Sequence, residues 1–158
     1  MKKIPLANNK GYALVDDEDY ERAMQYRWSR QGGEYAHGMV GEKGRRKLMQ
    51  MHRWLIGAPK GMDVDHINMN KLDNRKRNLR VCTRSQNKRN VGVRVDNNSG
   101  YKGVGWSKQN KGWMARIVHK GKTFYLGTHN TPEEAARFYD EAAKKYHGEF
   151  AWLNFPED

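Results

Sequence analysis

Short segments in which apolar and polar residues alternate make up most of the first fifty residues. Alternation with a period of two is typical of half-buried strands, and glycines between such segments are typical of hairpin turns. We therefore expect a small antiparallel scaffold, with turns at Gly32-Gly33 and between Gly41 and Gly44. Its strands are predicted at residues 12–16, 26–30, 34–40 and 46–52, with a short acidic helix within 16–26. The aromatic residues predicted in its core are Tyr12, Trp28, Tyr35 and Trp54.

The C-terminal third has the pattern of a three-stranded meander followed by one helix. A helix is predicted over residues 131–148, because Thr131 is an N-cap, Glu134 completes a capping box and Gly148 follows the last turn. Its small apolar residues recur at helical spacing, so this stripe must lie on the sheet. The strands are predicted at residues 101–107, 112–119 and 122–128.

Strand alternation gives this C-terminal sheet two different faces. Trp113, Ala115 and Ile117 share the face that meets the helix. The opposite face presents Arg116 and Tyr125, and such a cationic ribbon fits a DNA major groove, which is about 12 Å wide. Three further cations are expected near this face, Lys102, Lys108 and Lys122.

A segment rich in asparagine and glycine, 90-NVGVRVDNNSG-100, separates the two halves. It has no apolar periodicity, which is typical of a linker. With 158 residues and a mean hydropathy of -1.07, the chain cannot bury one large core, so two compact domains are favoured. We expect an α+β protein with domains at 1–90 and 100–157 and a linker at 91–99.

Composition and segment lengths exclude several classes of protein. No window approaches the roughly 20 apolar residues of a membrane span. The start, MKKIPLANNK, has no apolar run of the kind found in secretory signals. A cytoplasmic location in a bacterial or phage-infected cell, without a membrane partner, is therefore expected. The single cysteine, Cys82, permits no internal disulfide and no paired-cysteine zinc site, and is expected to be a small buried apolar residue.

Positive charge is concentrated in one segment of the chain. The net charge is +12, and residues 42–94 carry fifteen Lys and Arg against four Asp and Glu, whereas residues 1–41 carry six of each sign. A merely solvated surface does not sort its charges in this way. The pattern indicates a nucleic-acid partner, and a soluble basic protein is the alternative.

Asp65 and His66 stand side by side within this basic segment. A neutral imidazole can take a proton from water and a carboxylate can hold a divalent cation, a combination that suits phosphodiester hydrolysis. Asn78 and Asn87 follow, and an amide oxygen on the segment that carries Asn87 could complete an oxygen-rich site for Mg²⁺ or Mn²⁺. Alternatively, these are turn and cap residues of an asparagine-rich loop. Asn74 gains no role from its spacing and is interpreted as a turn residue.

Cations surround the Asp65-His66 pair along the same segment. They could form a solvated face, but beside a phosphate-cleaving site each neutralised phosphate adds salt-dependent affinity. His52, which leads into this segment, is interpreted as structural or phosphate-contacting. The cations predicted to contact DNA here are Arg75, Arg77, Arg80, Arg84 and Lys88.

Residues 45–92 resemble the HNH endonucleases, in particular the phage and intron-associated homing type. The resemblance rests on Asp65-His66, Asn78-Leu79-Arg80 and Asn87 occurring in the expected order. It implies a ββα-metal finger at about 60–90, in which His66 is the general base, Asp65 and Asn87 bind the metal, and Asn78 orients His66 or its loop. The family's name expects a final histidine where this chain has Asn87. Asparagine also occurs there in the homing branch, so the departure leaves the metal's identity open.

Residues 99–156 closely resemble the ethylene-response-factor (Apetala-type) DNA-binding domain. The matching motifs include Tyr101-Lys102-Gly103-Val104, Tyr125-Leu126-Gly127-Thr128 and Leu153-Asn154-Phe155-Pro156. The resemblance implies that the sheet enters the major groove and that Lys102, Arg116 and Tyr125 fall at DNA-contacting positions. Trp106 either contacts the groove or packs at the strand end. The plant target sequence should not carry over, since three positions where plant domains tend to carry arginine are occupied by Gly105, Val118 and Thr123.

Together these patterns predict a metal-dependent DNA endonuclease that cuts double-stranded DNA at a site recognised largely by the C-terminal sheet. The protein would act as a monomer, for which nicking is natural, or as a homodimer that cuts both strands. The alternative is a sequence-specific DNA-binding regulator with an inactive nuclease half. RNA is less favoured as the partner, because the deep, narrow A-form groove does not admit such a sheet.

Overall fold

The computed structural model describes residues 1–30 and 34–157, so the turn predicted at Gly32-Gly33 lies outside the described residues. The chain divides into two compact units, Met1–Asn87 and Lys88–Asp158. Both units are α+β, and the strands of each sheet pair antiparallel. Within the described ranges, no helix is long and apolar enough to cross a lipid bilayer.

In its described residues, the N-terminal unit contains three small sheets, formed by β1 and β2, by β3, β4 and β5, and by β6 and β7. Its strands are β1 Lys2–Pro5, β2 Tyr12–Val15, β3 Trp28–Ser29, β4 His37–Val40, β5 Lys47–Gln50, β6 Asp63–His66 and β7 Leu79–Cys82. Its α-helices are α1 Asp17–Met24, α2 Met51–Ile56 and α3 Arg84–Asn87.

Two elements of this unit differ from the sequence-based expectation. The strand predicted over 46–52 ends at Gln50, because α2 begins at Met51 and closes on Gly57 with a left-handed φ of 62°. Strand β1 was not predicted at all. Its four residues hold only one buried side chain, Ile4, so the segment has little periodic signal.

The core of the N-terminal unit is built around Trp28, which is 1% exposed and donates its indole N–H to the Ala23 carbonyl at 2.8 Å. Trp54 packs against Trp28 with ring centroids 5.5 Å apart. The prediction of a core position for Tyr12 is wrong, since this side chain is 46% exposed. Alternation along β2 turns Ala13 inward and Tyr12 toward solvent.

The C-terminal unit has the predicted meander and helix. The sheet order is β10-β9-β8, and one face of the sheet packs on α4. The hydroxyl of Thr131 accepts a hydrogen bond from the Glu134 N–H at 3.2 Å, which confirms the predicted N-cap. The elements are β8 Val104–Ser107, β9 Gly112–His119, β10 Lys122–His129 and α4 Pro132–His147.

The interface between helix and sheet is close because small residues line it. Ala135 and Ala136 of α4 pack against Val104 and Ala115, which confirms the predicted inward face. Gly103 has a φ of 77°, and a Cβ there would come within 2.0 Å of the Tyr139 ring. The fold therefore requires glycine at this position.

Candidate active site and nucleic-acid interface

The hairpin of β6 and β7 positions the residues singled out in the basic segment. Antiparallel register sets Asp65 opposite Arg80 and His66 opposite Leu79. Asn78 then ties down the loop that follows His66, because its side-chain oxygen accepts from the Asn68 N–H at 3.0 Å and its amide donates to the Asp73 carbonyl at 2.8 Å. Asn78 thus organises the loop next to His66.

The ring of His66 is held by Asn74. The Nε2 atom of His66 lies 3.1 Å from the Asn74 side-chain oxygen. Asn74 is fully buried, and its amide nitrogen lies 3.3 Å from the Leu72 carbonyl, which orients the oxygen toward His66. The interpretation of Asn74 as a turn residue is therefore wrong. Sequence reasoning missed it because the contact depends on the path of the loop, which spacing does not reveal.

The contact with Asn74 fixes the tautomer of His66. An amide oxygen only accepts, so the neutral ring carries its proton on Nε2 and has its basic lone pair on Nδ1. Burial lowers the pKa of His66, although Asn74 and Asp65 act in the opposite direction. The residue is 4% exposed. Burial therefore favours the neutral ring, which is the form that can accept a proton.

His52 packs directly on His66, with ring centroids 4.9 Å apart and an interplanar angle of 74°. Tyr35 completes this group of rings, 5.0 Å from His52 and 5.9 Å from His66. His52 is 3% exposed and packs between Tyr35 and His66, which favours the structural interpretation. His52 points inward because residues 51–56 form the helix α2. The sequence pattern predicts a strand over 46–52, so it does not distinguish a buried His52 from one that contacts a phosphate.

The free energy of unfolding should depend on pH through His52. Burial lowers the pKa of His52 to about 3, below its unfolded value of about 6.5. Between these pH values the unfolded chain therefore binds more protons than the folded chain. Through His52, the free energy of unfolding is highest above pH 6.5 and falls as the pH is lowered toward 3. We expect His52→Phe, which keeps a ring, to make the slope in urea unfolding shallower by up to about 1.4 kcal/mol per pH unit. An unchanged slope would contradict this account.

Asp65 forms a largely buried ion pair with Arg80. The Arg80 guanidinium donates through Nε and Nη2 to one Asp65 oxygen, at 2.9 and 2.6 Å. The side chains are 6% exposed for Asp65 and 13% for Arg80. Arg80, predicted to contact DNA, instead neutralises the carboxylate across the hairpin. The reason is register, which sequence spacing alone does not fix.

Asn87 reaches the same hairpin from α3. Its side-chain nitrogen donates to an oxygen of Asp63 at 3.2 Å. Asp63 and Asp65 are two residues apart on β6, so they share a face of the hairpin. Asp63 was missed in the sequence, although its i, i+2 relation to Asp65 was a usable signal once β6 was assigned.

The donor chemistry at this face suits a hard divalent cation. Two carboxylates and an amide provide the oxygen ligands that Mg²⁺ and Mn²⁺ prefer. Among the residues that the structure describes, no group of three or more His, Cys, Asp or Glu side chains is placed to hold a metal ion. An amide oxygen from Asn87, together with water, would therefore have to complete the coordination.

The other predicted DNA-contacting cations of the basic segment differ in availability. Arg75 is bound to Asp73 through Nε and Nη2 at 2.6 and 2.5 Å, and its side chain is 18% exposed. The Asp73 carboxylate already occupies this guanidinium, so Arg75 is a structural residue. Three of the predicted cations are exposed, Arg77, Arg84 and Lys88.

In the C-terminal unit, the sheet face opposite α4 carries exposed polar and aromatic side chains. Tyr125 is 70% exposed and lies opposite Arg116 in the sheet register. Trp106 is 53% exposed and also packs edge-on against Trp113, with ring centroids 5.3 Å apart, so it both packs and presents a surface. The predicted cations that are exposed are Lys108, Arg116 and Lys122.

Lys102, which was predicted to contact DNA, forms hydrogen bonds within the C-terminal unit. Its Nζ donates to the carbonyls of Arg89 and Val91, at 2.6 and 2.5 Å. Burial lowers the pKa of Lys102 to about 8. The side chain thus holds the preceding segment in place through two backbone carbonyls. No sequence pattern predicts that these carbonyls lie within reach of Lys102.

Comparison with known protein families gives two matches. Residues 56–89 match the model described as HNH endonuclease, and residues 99–149 match the AP2 domain. The first covers β6, β7 and α3, and the second covers the sheet and α4. No solved structure matches the chain.

Individual relatives match either nearly the whole chain or one part of it. An uncharacterized HNH endonuclease of Acanthamoeba polyphaga mimivirus is 31% identical over 156 residues, which are 94% of this chain and 78% of that protein. Protein 3.8 of Escherichia phage T7 is 33% identical over 93 residues, 59% of this chain and 76% of that protein. An ethylene-responsive transcription factor of Arabidopsis thaliana is 51% identical over 59 residues, 36% of this chain and 14% of that protein.

Proposed function

The chain belongs to the HNH endonuclease family and also carries an AP2 domain, and from this premise we propose that it is a metal-dependent DNA endonuclease of the homing type. It hydrolyses phosphodiester bonds of double-stranded DNA, at a site recognised largely by the C-terminal sheet. In this proposal β6, β7 and α3 form the ββα-metal finger. Residues 1–90 act as the nuclease domain and residues 100–157 as the recognition domain.

The environment of His66 carries this proposal. Its Nε2 is bound to a buried amide at 3.1 Å, its pKa is lowered by burial, and it stands next to a carboxylate on the same strand. A DNA-binding protein without catalysis needs the surrounding cations but has no use for an imidazole held as a proton acceptor.

His66 acts as the general base. Its Nδ1 takes a proton from a water molecule while the water oxygen attacks phosphorus, and the bond from phosphorus to the 3′ oxygen breaks. The 3′ oxygen acquires a proton from solvent, so the products carry a 5′-phosphate and a 3′-hydroxyl. The hydrogen bond from Nε2 to Asn74 keeps the ring in this tautomer, and Asn78 fixes the loop next to it.

Asp65 and Asn87 would hold the divalent ion, with Asp63 beside Asn87. Mg²⁺ is the preferred ion and Mn²⁺ an alternative, because both accept carboxylate and amide oxygens. When bound, the ion supplies positive charge to the phosphate and to the leaving 3′ oxygen.

One observation favours a second candidate function. The Asp65 carboxylate is neutralised by Arg80, which competes with a metal ion for an oxygen of this carboxylate. A DNA-binding regulator with an inactive nuclease half would tolerate this pairing without cost.

Supercoiled plasmid distinguishes the two candidates. The endonuclease converts it to nicked or linear DNA in the presence of Mg²⁺ or Mn²⁺, and excess EDTA stops the reaction. The nicked to linear ratio, measured against protein concentration, reports whether a monomer or a homodimer acts. Binding to DNA selected from a random library, without cleavage under any of these ions, would instead establish the regulator.

Arg116 is expected to contribute to site recognition. Arg116→Ala should weaken binding to a selected site by about 1–3 kcal/mol if the side chain contacts a base edge. Fluorescence anisotropy in EDTA at fixed salt measures this without cleavage. Lys145→Ala is the matched control, because it removes one exposed cation from α4, on the other side of the sheet. Equal affinities of the two variants would remove Arg116 from the interface.

A further inference from the structure

The segment before the AP2 match is fixed to the C-terminal unit. We call residues 88–99 the arm. Lys102 holds its beginning through the carbonyls of Arg89 and Val91. Asn97 holds its end, since its amide donates to the Tyr101 and Val104 carbonyls at 2.9 and 3.3 Å. The stretch predicted as a linker therefore has a defined position on this unit.

The arm and the sheet together line a cleft of about 570 Å³. Trp106 and Arg116 contribute from the sheet, and Arg94 contributes from the arm. Gly105 leaves the cleft open, because a Cβ built on it meets no atom within 4 Å. The cleft lies on the face of the sheet opposite α4, where Arg116 and Trp106 are exposed.

Cations outnumber acids around this cleft. Arg94, Arg116 and Lys108 line it, and among the described residues the single carboxylate lining it is that of Asp96. Arg94 binds Asp96 through two parallel contacts of 2.9 Å each. Both side chains are largely exposed, at 80% and 64%, and such surface pairs contribute little free energy. The same guanidinium geometry binds a phosphate in bidentate fashion.

We propose that this cleft is an additional DNA-backbone site, in which Arg94 exchanges the Asp96 carboxylate for a phosphodiester. The site extends the recognition surface beyond the residues matched by the AP2 model, which begin at 99. Asp96 opposes binding, because it competes for Arg94 and repels the phosphate. The inference rests on the proposed DNA-binding function of the sheet.

Salt-dependent binding tests this site. The probe is a labelled random-sequence DNA duplex, since a phosphate contact does not depend on sequence, and anisotropy is measured in EDTA over a range of NaCl. Arg94→Ala should weaken binding about tenfold, as expected for one charge-assisted contact. It should also reduce the slope of log K against log salt by about 0.9. Asp96→Asn should strengthen binding, and Lys145→Ala serves as the charge-matched control.

The outcomes separate this inference from the proposed function. If Arg94→Ala behaves like Lys145→Ala and Asp96→Asn binds like the wild type, while Arg116→Ala still weakens binding to a selected site, the cleft is not a DNA site and the sheet interface stands. If the wild type binds no duplex, both proposals are overturned. Opposite effects of Arg94→Ala and Asp96→Asn would support the exchange.

Discussion

His66→Ala is expected to lower the rate of plasmid cleavage by about 100- to 10,000-fold, the range that a positioned general base contributes. Affinity for DNA should be retained, because His66 is buried and the proposed phosphate contacts come from exposed cations. Single-turnover cleavage and anisotropy in EDTA measure the two quantities separately. His119→Ala, in the C-terminal unit, controls for loss of a histidine as such.

Chemical rescue distinguishes a lost base from a damaged fold. The Ala variant leaves space where the ring was, and added imidazole should restore part of the cleavage with a rate that rises with its concentration. Circular dichroism should show an unchanged fold. Cleavage by the variant at the wild-type rate would remove His66 from the mechanism, and a loss of cleavage and binding together would assign it a structural role.

The C-terminal unit could be predicted almost in full from sequence. Strand β9 spans Gly112–His119, as predicted, because alternation and the flanking turns are local signals. The signal for the helix that begins at Pro132 is equally local, since Thr131 and Glu134 form the capping interaction of its first turn. Such segments need no knowledge of their neighbours, so the bounds of β9 and the start of α4 agree with the prediction. The first strand, predicted from residue 101, instead begins at Val104.

The N-terminal unit could be predicted only in outline. Asp65 and His66 stand out by residue type, but the partners that set their chemistry come from other parts of the chain. Asn74 reaches His66 through a loop, and His52 reaches it from a six-residue helix without a periodic signal. Those contacts depend on tertiary structure, and spacing along the chain gives no measure of them.

The count of cations in the basic segment overestimates how many of them are available to bind phosphate. Arg75 and Arg80 belong to a run of cations, and a run suggests a surface that binds phosphate. Each is instead paired with a carboxylate and mostly buried, at 18% and 13% exposure. A count of cations gives the net charge of a segment but cannot tell which of them remain available to a partner.

The ion pair between Asp65 and Arg80 should contribute to stability, and its carboxylate is also proposed to act in catalysis. Variants of the two residues should separate these two contributions. Asp65→Ala is expected to lower the free energy of unfolding by about 3–5 kcal/mol, since it leaves a largely desolvated guanidinium without this carboxylate. Arg80→Met should also destabilise the chain, because the carboxylate loses its cation. The double variant removes both charges, so urea denaturation should place it closer to the wild type than Asp65→Ala.

Cleavage should not recover with stability. In the double variant the carboxylate proposed to hold the metal ion is gone, so the plasmid should remain supercoiled at every Mg²⁺ or Mn²⁺ concentration although the fold is regained. Arg80→Met retains Asp65 and should still cleave, at a lower half-saturating metal concentration, because the competing cation is removed. A double variant that cleaves would exclude Asp65 as an essential ligand. An Asp65→Ala chain as stable as the wild type would show that the buried pair contributes nothing to folding.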